Sequence, residues 1–199
     1  MTAPGFFGKL PARGDFLSRR VPPGVAAAWE AWLQALTVAG RAAGDETWLT
    51  APLWHFALGR AVAPPHGAAG VLVASADRVG RLFPFTIIGA GDPAGAAGLQ
   101  DWTGATEALA IQALEDEFDP ATLDEALAAL GPPPAITGPD GAPGAWPPED
   151  ESGPGAGQSA WWCRGSDHIA PVRLLCTGLP GPRTCAAMIA GGEEVMPGA

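Results

Sequence analysis

Six charged side chains stand out by their spacing. Lys9, Arg13 and Asp15 lie in Gly5-Phe6-Phe7-Gly8-Lys9-Leu10-Pro11-Ala12-Arg13-Gly14-Asp15-Phe16, and Asp77, Arg78 and Arg81 lie in Asp77-Arg78-Val79-Gly80-Arg81-Leu82-Phe83-Pro84. Both segments mix glycines with charges in a chain that is only 16% charged. Opposite signs at close spacing suit charge-assisted hydrogen bonds that dock one loop on another. Two roles follow. The set is a structural ion-pair cluster, in which the Asp77/Arg78 turn cross-pairs with Arg13 and Asp15, or it is an exposed rim that contacts a protein partner. The roles are compatible, because an ordered cluster preorganises a binding surface.

Catalytic chemistry finds less support. A phosphate loop needs four residues between its glycines and a Ser or Thr after its lysine. Here two residues separate Gly5 from Gly8 and Leu10 follows Lys9, so the glycine is read as a place where a strand and a helix approach closely. Arg13-Gly14-Asp15 matches a cell-adhesion tripeptide by chance. His55, His66 and His168 are far apart in sequence, with no spacing that gathers metal ligands. Cys163 and Cys176 fall in expected strands and Cys185 on an expected helix, the usual places for a small buried hydrophobe. The acid pair Asp116 and Glu117 is read as a solvated helix face. No cofactor or metal is expected, and the chain is read as non-enzymatic.

The elements that must position the charged set are limited by composition. The 199 residues suffice for one compact domain spanning 1–199. Hydrophobic residues make up 47%, but much of that is alanine, so the core must rest on Leu, Val, Phe and eight Trp. The net charge of −10 is uneven: residues 1–90 hold eight basic and five acidic side chains, leaving three against sixteen beyond. That balance argues against nucleic-acid binding, which needs many Lys and Arg on phosphates. The first residues lack the basic and apolar regions of a secretion signal, and no uncharged run free of Pro and Gly is long enough to span a bilayer. A soluble, cytoplasmic protein is expected, without direct membrane insertion. Three cysteines without a Cys-x-x-Cys pair fit reduced thiols.

Gly5 to Leu10 reads as a strand entering a turn at Pro11 to Asp15. Val25, Ala28, Trp29, Trp32, Leu33 and Leu36 share one helical face after Pro22-Pro23, with Gly44 as the stop. Leu53–Leu58, Ala69–Ser75 and Leu82–Ile88 read as strands. The last two form a hairpin through a type I turn at Asp77 to Gly80 followed by a left-handed glycine. A helix from Asp101 or Thr103 to about Phe118 and another over Ala121–Leu130 follow. Gly131 to Gln158 has 15 Gly or Pro among 28 residues and only acidic charges, so it reads as a flexible, dispensable insertion, with Trp146 able to pack back on the domain. Strands at Ala160–Arg164 and Val172–Thr177 and a helix at Pro182–Ala190 complete the chain. The fold class is α+β: one three-layer domain with a mostly antiparallel or mixed central sheet flanked by helices.

The two charged segments, together with Pro52-Leu53-Trp54 and Ser159-Ala160-Trp161-Trp162, resemble the signature of the TagF family, also called ImpM, of type VI secretion-associated proteins. The resemblance covers about residues 5–90 and returns at about 159–180. It implies a cytoplasmic regulator, a post-translational repressor acting by binding the forkhead-associated scaffold protein of the secretion system, while Lys9, Arg13, Asp15, Asp77, Arg78 and Arg81 stand as the protein-binding or structural cluster on their spacing and charge alone. Some relatives carry a fused phosphatase domain, whose acidic metal-binding motifs this chain lacks. Two other classes stay open: a hydrolase or phosphatase with an unrecognised site, and a structural accessory component of the secretion apparatus. Oligomeric state is not legible.

Overall fold

The computed structural model describes residues 2–91, 99–115, 117–134 and 154–192. Seven strands form one antiparallel sheet. They are β1 (Gly5–Gly8), β2 (Leu17–Arg19), β3 (Trp54–Leu58), β4 (Ala68–Val73), β5 (Phe85–Ala90), β6 (Gln158–Cys163) and β7 (Val172–Thr177), in the order β2-β1-β5-β4-β3-β6-β7. Helices α1 (Ala26–Ala43), α2 (Asp45–Leu49) and α5 (Pro182–Ala190) cover one face, and α3 (Leu99–Gln112) and α4 (Pro120–Leu130) the other. This is the expected three-layer α+β architecture, with every described pairing antiparallel.

Strand periodicity distributes the core. Trp54, Phe56 and Leu58 face α1 and α5, while Ala57 faces the layer that holds Trp102 of α3. Alanine-rich helices bring little volume, so indoles fill the space: Trp29 stacks on Trp161 at 6.0 Å and packs at a tilt against Phe56 at 4.7 Å. Each indole N–H must then find an acceptor. Trp29 donates to Thr86 Oγ1 at 3.3 Å, Trp32 to the Pro180 carbonyl at 2.9 Å, Trp48 to that of Ser75 at 2.9 Å and Trp54 to that of Met188 at 3.1 Å.

Several elements differ from their expected bounds. β5 begins at Phe85 because Pro84 has no N–H to give the ladder; Leu82 makes only an isolated bridge to Ala76. β2 and α2, three and five residues long, are too short to show a period. α3 starts at Leu99 and ends at Gln112, so Glu117 is not on it, and Asp116 and Trp146 lie outside the described residues. Gly8 does bring backbones close, but they are two strands: at φ 138° it pairs with Phe85, and a Cβ there would sit 2.1 Å from the Pro84 carbonyl oxygen.

The expected insertion is anchored at both ends. Trp102 donates to the Gly131 carbonyl at 3.1 Å, Gly59 N–H bonds Gln158 at 2.8 Å, and Ala61 N–H bonds Ala156 at 2.7 Å. Replacing 131–158 with a Gly/Ser linker should therefore lower Tm by about 5–10 °C more than replacing 135–153 alone, since three hydrogen bonds are at stake; paired thermal melts check this. Trp32, packed at a tilt against Trp29 at 5.1 Å and Trp161 at 4.8 Å, should cost about 3–5 kcal/mol on truncation to Ala, measured by urea unfolding.

Candidate functional site

The two charged segments meet around one carboxylate. Asp77 follows β4 in the connection to β5, and its side chain is fully buried. Its Oδ2 accepts from Lys9 Nζ at 2.9 Å and from Arg81 Nε at 2.6 Å. Its Oδ1 accepts the backbone N–H of Val79 at 3.0 Å and of Arg81 at 2.9 Å. Burial pushes this carboxyl up, but the hydrogen bonds from Lys9, from the Arg81 amide and guanidinium and from the Val79 amide outweigh it and hold Asp77 well below the usual carboxylate range. Gly80 N–H closes the turn onto the Asp77 carbonyl at 2.8 Å, and its φ of 79° needs the missing Cβ.

The first segment is tied in by backbone as much as by charge. Ser75 Oγ donates to the Lys9 carbonyl at 2.8 Å, Arg78 N–H to the Arg13 carbonyl at 3.0 Å, and Arg81 Nη2 to the Gly14 carbonyl at 2.6 Å. The Lys9 ammonium also sits 4.9 Å from the ring centre of Phe16. The expected cross-pairing of Asp77 and Arg78 with Arg13 and Asp15 does not form. Asp77 takes Lys9 and Arg81, the two cations nearest its oxygens. Arg13 reaches Asp119, the N-cap of α4, at an exposed 3.6 Å. Among the described residues Arg78 and Asp15 are exposed and have no ion-pair partner.

A second charged group was not legible in the sequence. His55 on β3, buried and stacked on Trp162 at 5.3 Å, has Nε2 2.8 Å from Glu107 Oε2 of α3. The pair is close enough for charge to hold it across the β3–α3 layer. Desolvation lowers the His55 pKa, opposed by Glu107 and reinforced by Arg164, whose guanidinium lies 3.7 Å from Glu107. The only available signal was alternation along β3, which points His55 toward α3 while the 52 residues to Glu107 hide the pair.

Other features have weaker chemistry. Burial pushes the thiols of Cys163 and Cys176 up and that of Cys185 up to about 11, away from thiolate. No group of three His, Cys, Asp or Glu among the described residues could hold a metal ion. A half-open groove of about 730 Å³, walled by Val21, Pro22, Pro23, Pro64 and Pro65, lies beside Arg20 and His66. The Arg20 guanidinium is already engaged by Asp124 at 2.7 Å and the Pro4 carbonyl at 3.1 Å. No helix among the described residues is long and apolar enough to cross a membrane.

Residues 5–130 match the model of the TagF N-terminal domain, described as type VI secretion system-associated. A solved structure, the crystal structure of PA0076 from Pseudomonas aeruginosa PAO1, is similar over 98% of this chain and 97% of its own, with 30% identity and a TM-score of 0.79. None of the curated proteins matches.

Removing Asp77 leaves a buried ammonium unpaired, so Asp77→Ala should cost roughly 3–5 kcal/mol in urea unfolding. The depressed carboxyl stabilises the fold fully above its ordinary value of 3.8, and that stability is lost as pH falls below it toward the folded value. Below pH 4, wild-type stability should therefore fall more steeply with acid than that of Asp77→Asn, as acid-unfolding curves would show.

Proposed function

The chain belongs to the TagF N-terminal family of type VI secretion system-associated proteins, and on that premise we propose that it is a non-catalytic cytoplasmic regulator, a post-translational repressor that binds the forkhead-associated scaffold of the secretion system. The observation that carries this reading is the knot at Asp77, which welds two segments 68 residues apart into one corner. Its inward charges, Lys9 and Asp77, hold the corner rigid. Arg78 projects outward with no ion-pair partner among the described residues. A rigid base under an unsatisfied guanidinium is what a protein-recognition surface needs, because little ordering entropy remains to be lost on binding.

The same arrangement supports binding over catalysis. Thiols raised by burial are poor nucleophiles. The carboxylate of Asp77, saturated by four donors, has no lone pair left to take a proton from a substrate. Arg81 belongs partly to the knot and Arg78 does not, so the two arginines separate structure from recognition.

Arg78→Glu should leave Tm within a degree or two, since an exposed unpaired side chain contributes little to stability. It should also weaken binding to the purified scaffold about 10-fold and raise effector secretion. Wild-type affinity and wild-type secretion from a folded Arg78→Glu protein would remove this corner from the interface. Arg81→Glu, which sets a second carboxylate against Asp77, should instead lower Tm measurably.

A further inference from the structure

Phe16 is the only exposed Phe or Trp among the described residues, with 53% of its surface in solvent. An exposed ring is anomalous among the described residues, because the other phenylalanines and tryptophans described are at least half covered. The ring is also held still. It meets Phe83 edge-on at 4.7 Å, stacks on Phe7 at 6.0 Å and carries the Lys9 ammonium over its face. Val79, at the tip of the Asp77 turn, is 69% exposed, and its N–H is fixed by Asp77 Oδ1. The other large exposed hydrophobics among the described residues, Val38, Leu49, Ile111 and Leu175, sit singly on α1, α2, α3 and β7.

We infer that Phe16 and Val79 are the apolar anchors of the docking surface, and that the partner is a protein segment presenting an apolar side chain with carboxylates on one side of it. This rests on the reading that the corner binds a protein. A locked aromatic loses no rotamer freedom on burial, the property of residues that dominate interface energies. Charge selects the occupant. The corner holds Lys9, Arg13, Arg78 and Arg81 against Asp15, Asp77 and Asp119, a balance of +1 in a chain of −10. Among the described residues Arg78, beside Val79, has no ion-pair partner, and Arg81 is 58% exposed. Asp15, exposed beside Phe16, repels acid on that side, so the partner's carboxylates belong on the Arg78 side of its apolar residue.

The test compares purified wild type, Phe16→Ala and Val79→Ser for binding to the purified forkhead-associated scaffold, with thermal melts as the folding control. Phe16→Ala should bind about 30-fold more weakly and Val79→Ser about 3-fold. Wild-type affinity in both overturns the anchors while leaving the scaffold reading intact. Should Phe16→Ala fail to fold, Val79→Ser decides by the same criterion, since its side chain mostly meets solvent. If wild type does not bind the scaffold, that reading fails on its own, and a photo-crosslinking residue at Val79 in cells, with Val38 as control, decides the anchors. An adduct specific to Val79, mapped to an apolar residue beside Asp or Glu in a segment whose synthetic peptide binds wild type but not Phe16→Ala, supports the inference. No such adduct, or one in a basic segment, overturns it.

Discussion

A buried charge is costly unless an opposite charge and hydrogen bonds offset its lost hydration, and that constraint governs the corner where Lys9 meets Asp77. Neither ion would remain inside alone, because the cost of desolvation exceeds what packing returns. Lys9 satisfies one oxygen, and the turn from Asp77 to Arg81 folds back to supply three more donors. The turn's shape is thus dictated by the carboxylate it encloses. The placement of Phe16, Val79 and Arg78 follows from that shape.

The sheet beneath supplies the other half of the rigidity. β1 lies between β2 and β5, and β4 between β5 and β3, so the strands leading into both charged segments are paired on each side. Thr86 in β5 accepts from Trp29 and donates to the Phe7 carbonyl at 3.1 Å, linking the indole layer to the strand that leads into Lys9. A binding surface on such a scaffold loses little affinity to ordering.

Much of this was legible in the residues. The tryptophan spacing gave the buried face of α1, Pro120 and Pro182 marked two helix starts, and the hairpin followed from Asp77 to Gly80. The meeting of the charged segments could be anticipated from their unusual composition. Their pairing could not, because which cation reaches Asp77 depends on the angle at which β1 leaves the sheet. β2 escaped notice since three residues carry no period, and its strand character comes from pairing with β1. Phe16 read as part of a motif, and only the fold shows that it lacks a cover. His55 and Glu107 belong to elements that sequence order keeps apart.

Lys9 is the sole lysine in the chain, and its ammonium is sealed against Asp77. The folded corner therefore presents no side-chain amine to solvent, and amine-directed labels or lysine-targeted modifying enzymes find nothing to attack there. Such a reagent can reach Lys9 only when the knot opens, so the rate at which this one residue is labelled measures how often the corner comes apart in an otherwise folded molecule.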